Sequence, residues 1–200
     1  MNSLCDKVIL LNEGQIEKKG ISREIISYYK NEIFKITSSD DTEPGLWKSQ
    51  KNQNWAKAKI KAVEMLDPDT GKRKETLTTG DSVTFRLHYF SEIDLQEASF
   101  MFGICTEENI VLIKCNSLRI DGVETPLKKG NHFLDCVFPG FPLAAGNYYI
   151  MTGIAHTLVK WFFRSHEFGR ITVLPMYNPK SQRALTSDLA YLSIEHHWRT

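Results

Sequence analysis

Between residues 60 and 174 short apolar runs recur between turn clusters, and alternation of apolar and polar side chains with a period of two predicts strands rather than helices. Val83–Phe90 shows it most cleanly: Val83, Phe85, Leu87 and Tyr89 fall on one face, Thr84, Arg86 and His88 on the other. One face is expected in a core and the other in water, as in a two-sheet sandwich. Comparable runs, rich in branched and aromatic residues, recur roughly every dozen residues between turn clusters. Ile60–Leu66 precedes Asp67-Pro68-Asp69-Thr70-Gly71, and Val83–Phe90 follows Thr79-Gly80-Asp81. Ser99–Thr106 and Ile110–Asn116 form a hairpin through Glu107-Glu108-Asn109, and His132–Phe138, Tyr148–Ala155, Val159–Arg164 and Arg170–Leu174 continue the series.

The two ends differ from this pattern. Val8–Leu11 stops at Asn12-Glu13-Gly14, and Gln15-Ile16-Glu17 resumes before Lys19-Gly20, a tight hairpin. Ser22 is placed as the N-cap of a helix whose apolar stripe is Ile25, Ile26, Tyr28, Tyr29, Ile33 and Phe34. Residues 37–51 have the Ser, Asp, Thr, Gly, Lys and Gln composition of a linker. This predicts a hairpin-helix segment over 1–36, a linker over 37–51 and a mainly β domain over 52–200. A polar connection from Pro175 to Asp188 leads to a last predicted strand, Leu189–Trp198, which a long tether would allow to pair with a second protomer.

Composition narrows the function classes. The 200 residues carry 25 Lys+Arg against 24 Asp+Glu, a net charge of +1, so the basic footprint of a nucleic-acid binder is absent. Cys5, Cys105, Cys115 and Cys136 contain no CxxC pair and are too few for a disulfide framework, which predicts free thiols in a reducing compartment. No apolar stretch is long enough to span a membrane and no signal peptide is recognisable. The chain is expected in the cytoplasm.

Motifs for chemistry are equally sparse. Asp67–Gly71 has a glycine at the third ligand position of a calcium loop, and Thr78 stands where its bidentate glutamate belongs, so it is read as a β-turn. Neighbouring His196 and His197 would point to opposite strand faces, and His132 and Cys136 lie too far apart along a strand to form a nucleophile pair. Neither G-x-S-x-G, H-E-x-x-H nor a phosphate-cradling loop is present, so no metal, cofactor or catalytic site is expected. Aromatics, by contrast, are plentiful in or beside the strands: Trp47, Trp55, Trp161, Trp198, Tyr148, Tyr149, Tyr191 and Phe162. Rings with polar neighbours suit a carbohydrate, whose C–H face stacks while side chains take its hydroxyls.

Leu4-Cys5-Asp6-Lys7-Val8-Ile9-Leu10-Leu11-Asn12-Glu13-Gly14-Gln15-Ile16, with Gly20 and Ile25-Ile26-Ser27-Tyr28-Tyr29, resembles the closing segment of an ABC transporter ATP-binding domain. The Walker, signature and switch-histidine motifs of that domain do not occur in this chain. The remainder resembles the C-terminal domain of the ATP-binding subunit of O-antigen and related polysaccharide exporters, the Wzt type. The resemblance rests on Ala58-Lys59-Ile60, Val63, Leu66-Asp67, Gly71, Gly80-Asp81, Val83, Phe85, Leu87 and Phe102-Gly103-Ile104, then on Asn116, Gly130, Phe138-Pro139, Leu143, Gly146-Asn147-Tyr148, Tyr191-Leu192, His196 and Trp198. Glu107-Glu108-Asn109 departs from the family's glycine-containing turn, and Ser193-Ile194-Glu195 from its proline before the histidine.

The resemblance implies an immunoglobulin-like antiparallel β-sandwich that binds nascent polysaccharide, often at its modified non-reducing end, and couples recognition to export. It also implies a homodimer at the inner membrane through the transporter permease. The residues expected to bind carbohydrate are Tyr149 and Trp161, with Arg86, His88 and Arg164 nearby, on the outward face of the sheet holding the Tyr148 and Val159 strands. The competing expectation is a domain that docks the permease or a glycosyltransferase without touching sugar.

Overall fold

The computed structural model describes residues 7–12, 14–21, 25, 43–49, 56–156, 160–178 and 183–194. The chain divides into two compact units, residues 1–42 and 43–200. In the first, β1 (Lys7–Asn12) and β2 (Gln15–Ile21) form an antiparallel hairpin turning at Gly14, whose φ of 81° suits a residue without a Cβ. Gly20 lies inside β2. The helix expected after Ser22 falls outside the described residues, apart from Ile25.

The second unit is a β-sandwich. One sheet has four strands in the order β3-β4-β6-β9: β3 (Leu46–Lys48), β4 (Ala58–Leu66), β6 (Val83–Ser91) and β9 (Gly130–Phe138). The other has five in the order β5-β11-β10-β7-β8: β5 (Leu77–Thr78), β7 (Ala98–Cys105), β8 (Val111–Asn116), β10 (Gly146–His156) and β11 (Lys160–Leu174). Every pairing is antiparallel except β5 with β11. A small hairpin of β12 (Tyr177–Asn178) and β13 (Arg183–Ala184) lies in the polar connection that follows β11.

The alternation in β6 is realised: Val83, Phe85, Leu87 and Tyr89 are all under 5% exposed. Phe85 stacks on Phe102 of β7 with ring centroids 4.5 Å apart, and Tyr89 meets Phe100 at 5.0 Å, so these rings join the two sheets. Each such burial contributes roughly 1.5–3 kcal/mol from area alone. The turns follow the sequence reading as well. Asp67 accepts hydrogen bonds from the Thr70 backbone and hydroxyl, both at 2.8 Å, and its carbonyl accepts from the Gly71 amide at 2.9 Å. Those bonds hold the Asp67 carboxyl below its ordinary value. Asn109 takes a left-handed φ of 63° in the β7–β8 turn, a conformation asparagine tolerates.

Three expectations are corrected. The segment read as a linker contains β3, which pairs with β4 in the register Trp47 to Val63. The strands expected over Val159–Arg164, described from Lys160, and over Arg170–Leu174 are one strand, β11: its bulge across His166–Phe168 sits opposite Met151, and a bulge keeps a strand continuous while adding residues to it. Leu189–Ile194 is not a strand; its described part is held by an isolated bridge from Leu192 to Leu143 and by the Ser193 amide donating to Pro142 O at 2.7 Å. Residues 195–198 of that segment lie outside the described residues.

The two lateral sides of the sandwich differ. On one, Trp47 of β3 lies over Gly169 of β11 and donates its indole N–H to the Arg170 carbonyl at 2.8 Å; a Cβ at Gly169 would collide with the ring. On the other, edge strands β8 and β9 face each other across a cavity of about 360 Å³ lined by Leu87, Phe102, Cys115, Thr125, Leu134 and Cys136, among others. Leu134, Cys136 and Phe138 point inward from β9 but are only half-buried.

Candidate functional site

The five residues expected to bind carbohydrate occupy opposite outer faces of the sandwich. Arg86 and His88 belong to β6 in the four-stranded sheet; Tyr149, Trp161 and Arg164 belong to β10 and β11 in the five-stranded sheet. A single site cannot contain all of them. Period-two alternation assigns a side chain to a face of its strand but not to a sheet, and the two strand sets lie in different sheets.

On the five-stranded sheet, Tyr148 enters the core and Tyr149 faces the other way, as alternation requires. Tyr149 is nevertheless only 5% exposed, which corrects the expectation of an open ring there. The physical reason is its place on β10, flanked by Cys105 of β7 and Arg170 of β11, with Arg170 Nη2 in turn 3.0 Å from Glu107 Oε1. Burial raises the Tyr149 phenol above its ordinary value, and the Glu107 carboxylate adds to this. Trp161 is 38% exposed and rests on Gly153, where a Cβ would come within 2.5 Å of the ring. The Arg164 guanidinium covers it at 5.0 Å.

The outward face of the four-stranded sheet holds a denser array. Antiparallel register sets Arg86 beside Asp135 of β9 and Glu64 of β4, and His88 beside Phe133. Arg86 binds Asp135 through two parallel hydrogen bonds, Nε to Oδ1 and Nη2 to Oδ2, both 2.8 Å. Its guanidinium also lies 4.1 Å over the Phe133 ring, and the His88 ring stands tilted beside it with centroids 6.3 Å apart. His88 Nε2 is 3.1 Å from Glu64 Oε2, and Arg73 binds Glu64 Oε1 at 3.0 Å while pairing with Glu43. Burial raises the Glu64 carboxyl, but the hydrogen bonds from His88 and Arg73 outweigh it and hold Glu64 below its ordinary value. Phe133 itself is 55% exposed.

Neither Phe133 nor Asp135 is among the residues expected from the sequence to bind carbohydrate. The signal was present in β9, where Phe133, Asp135 and Val137 alternate with Leu134 and Cys136, and the outward set contains a ring beside a carboxylate. The arrangement offers what a sugar needs: a flat apolar surface, two cationic or imidazole donors and two carboxylate acceptors, all within one sheet face.

Comparison with known proteins is consistent with this architecture. The model of the Wzt C-terminal domain family matches residues 50–186. Among solved structures, the chain is similar to the crystal structure of the C-terminal domain of wzt, with a TM-score of 0.61 at 15% identity, covering 79% of this chain and 92% of that one. A Niemann-Pick type C2 protein from Japanese carpenter ant is similar at 12% identity with a TM-score of 0.41, covering 64% and 98%. No match was found among curated proteins.

Proposed function

The chain belongs to the Wzt C-terminal domain family, and on that premise we propose that it binds a bacterial polysaccharide of O-antigen type, on the outward face of its four-stranded sheet, for export by an ABC transporter. The family domain is non-catalytic and has an export-related role in such transporters. Among the described residues no helix is long and apolar enough to cross a membrane.

The observation that carries the reading is Phe133, an exposed ring framed by Arg86 with Asp135 and by His88 with Glu64. The C–H face of one sugar stacks on Phe133. Its hydroxyls donate to Asp135 and Glu64 and accept from Arg86 and His88. A platform with one exposed ring holds one terminal residue better than a long internal run, which favours the non-reducing end. By analogy with base stacking, the ring contributes about 1–3 kcal/mol, roughly tenfold to hundredfold in affinity. Tethering to the transporter raises the local glycan concentration, so weak binding suffices.

The test is titration of the chain against O-polysaccharides with intact and truncated ends. Phe133→Ala is expected to lose tenfold or more in affinity with an unchanged melting temperature, and Trp161→Ala to bind as wild type. The reverse result would move the site to the five-stranded sheet, where Trp161 on Gly153 beside Arg164 is the second-best platform. Retained binding in both variants would remove the stacking mechanism. Absence of glycan binding, together with permease capture, would establish the docking role instead. For the homodimer with an exchanged C-terminal segment, truncation after Asp188 is the check: it should lower the sedimentation coefficient.

A further inference from the structure

The core of the sandwich contains a feature independent of glycan binding. Phe85 of β6 and Phe102 of β7 stack across the two sheets at 4.5 Å. In the ladders, the partner of Phe85 is Cys136 of β9 and the partner of Phe102 is Cys115 of β8. Residues directly opposite in antiparallel strands project to the same side, so both cysteines point inward. Each stands one strand outward from the stacked rings, on the two edge strands that face each other across the cavity, and both line it. Both are free thiols and half-buried, so a small reagent can reach them from the open side.

We propose that Cys115 and Cys136 are a redox modification site, a thiol pair that a small disulfide such as oxidised glutathione converts into a reversible bridge between the two sheets. The Cys136 thiol donates a hydrogen bond to Cys115, which lowers the Cys115 thiol below its ordinary value, while the same interaction and burial raise Cys136. Either sulfur can open the exchange; with Cys115 first, the steps are these. The Cys115 thiolate attacks one sulfur of the small disulfide, breaking that S–S bond and releasing one thiolate, which takes up a proton as free thiol. Cys136 then gives its proton to water and attacks the Cys115 sulfur of the mixed disulfide, expelling the second thiolate. The protein loses two hydrogens, and the small disulfide is reduced to two thiols.

Geometry makes this bond labile. Facing sheets lie roughly 10 Å apart, whereas bridged Cα atoms are about 4.4–6.8 Å apart, so closure must draw the two strands together. Only edge strands, with no neighbour on one side, can yield in this way. A bond formed against that resistance is reducible, as a switch in a reducing compartment requires. Closing it narrows the cavity.

The experiment treats the reduced full chain with oxidised glutathione and reads intact mass, peptide linkage and melting temperature. The expected product is a monomeric chain lighter by two hydrogens, with Cys115 joined to Cys136, melting roughly 5 °C or more higher, and reverting with reduced glutathione. Cys136→Ser should stop at a glutathione adduct on Cys115, and Cys115→Ser at one on Cys136, neither able to close the bridge. Linkage through Cys5 or Cys105 instead, bridges only between chains, or a full thiol count after treatment would each overturn the proposal.

Discussion

Where β3 meets β11 the sandwich is sealed by one side chain; where β8 faces β9 it stands ajar. Trp47, half-buried, spans the first side, because Gly169 leaves room for the indole and the Arg170 carbonyl accepts its N–H. On the second side the inward positions carry Ile113, Cys115, Leu134 and Cys136, smaller side chains that leave a cavity between the strands. Both edges close the same core, yet one is spanned by an indole and the other keeps an open space. The difference teaches that core burial alone does not close a sandwich: a residue must span the space between the sheet edges.

That contrast predicts unequal sensitivity to mutation. Trp47→Ala should cost about 3–5 kcal/mol, by analogy with large-to-small core substitutions, measured by urea unfolding. Gly169→Ala forces the ring to move and should cost about 1–3 kcal/mol; an unchanged midpoint would show that Trp47 is not what closes this side. On the open side Leu134→Ala should cost only about 1 kcal/mol, since Leu134 is already half-solvated. A loss as large as that of Trp47→Ala would erase the comparison.

A smaller effect separates the sides by pH. Glu64 pairs with Leu46 of β3 in the ladder and joins Arg73 and Glu43 in an ionic strut over the sealed side. Its folded-state carboxyl lies below the ordinary value, so its contribution is present above the unfolded pKa of about 4.3 and is lost as pH falls through the lower folded value. The amount should be below about 1 kcal/mol for so peripheral a group. Glu64→Gln should flatten the acid limb of a stability profile between about pH 5 and pH 3; an unaltered limb would remove the strut.

Much of the sandwich was legible in the sequence because its causes are local. The faces of Val83–Tyr89 follow from alternation, and the Asp67–Gly71 turn from an aspartate that binds the amide three residues on. What escaped is non-local. β3 has three residues, and its anchor, the Arg170 carbonyl, lies 123 positions away, so its sequence looked like linker. Tyr149 was assigned to the correct face, but alternation cannot tell whether neighbouring strands cover that face. Arg86 and Trp161 both fall on outward strand faces by alternation, and only sheet order separates them. The facing of Cys115 and Cys136 requires knowing that β8 and β9 are edges of opposite sheets.

Strand β9 has a further consequence, for colloidal behaviour. As the edge of its sheet, paired among the described residues only with β6, it leaves a row of backbone donors and acceptors on its outer side, with Phe133 and Val137 exposed at 55% and 57%. An open apolar edge is a template on which another chain can add a strand. Asp135 stands between those two side chains, and its charge, held in place by Arg86, acts as a gatekeeper against such addition. The residue that frames the sugar platform thereby also keeps concentrated protein from growing edge to edge.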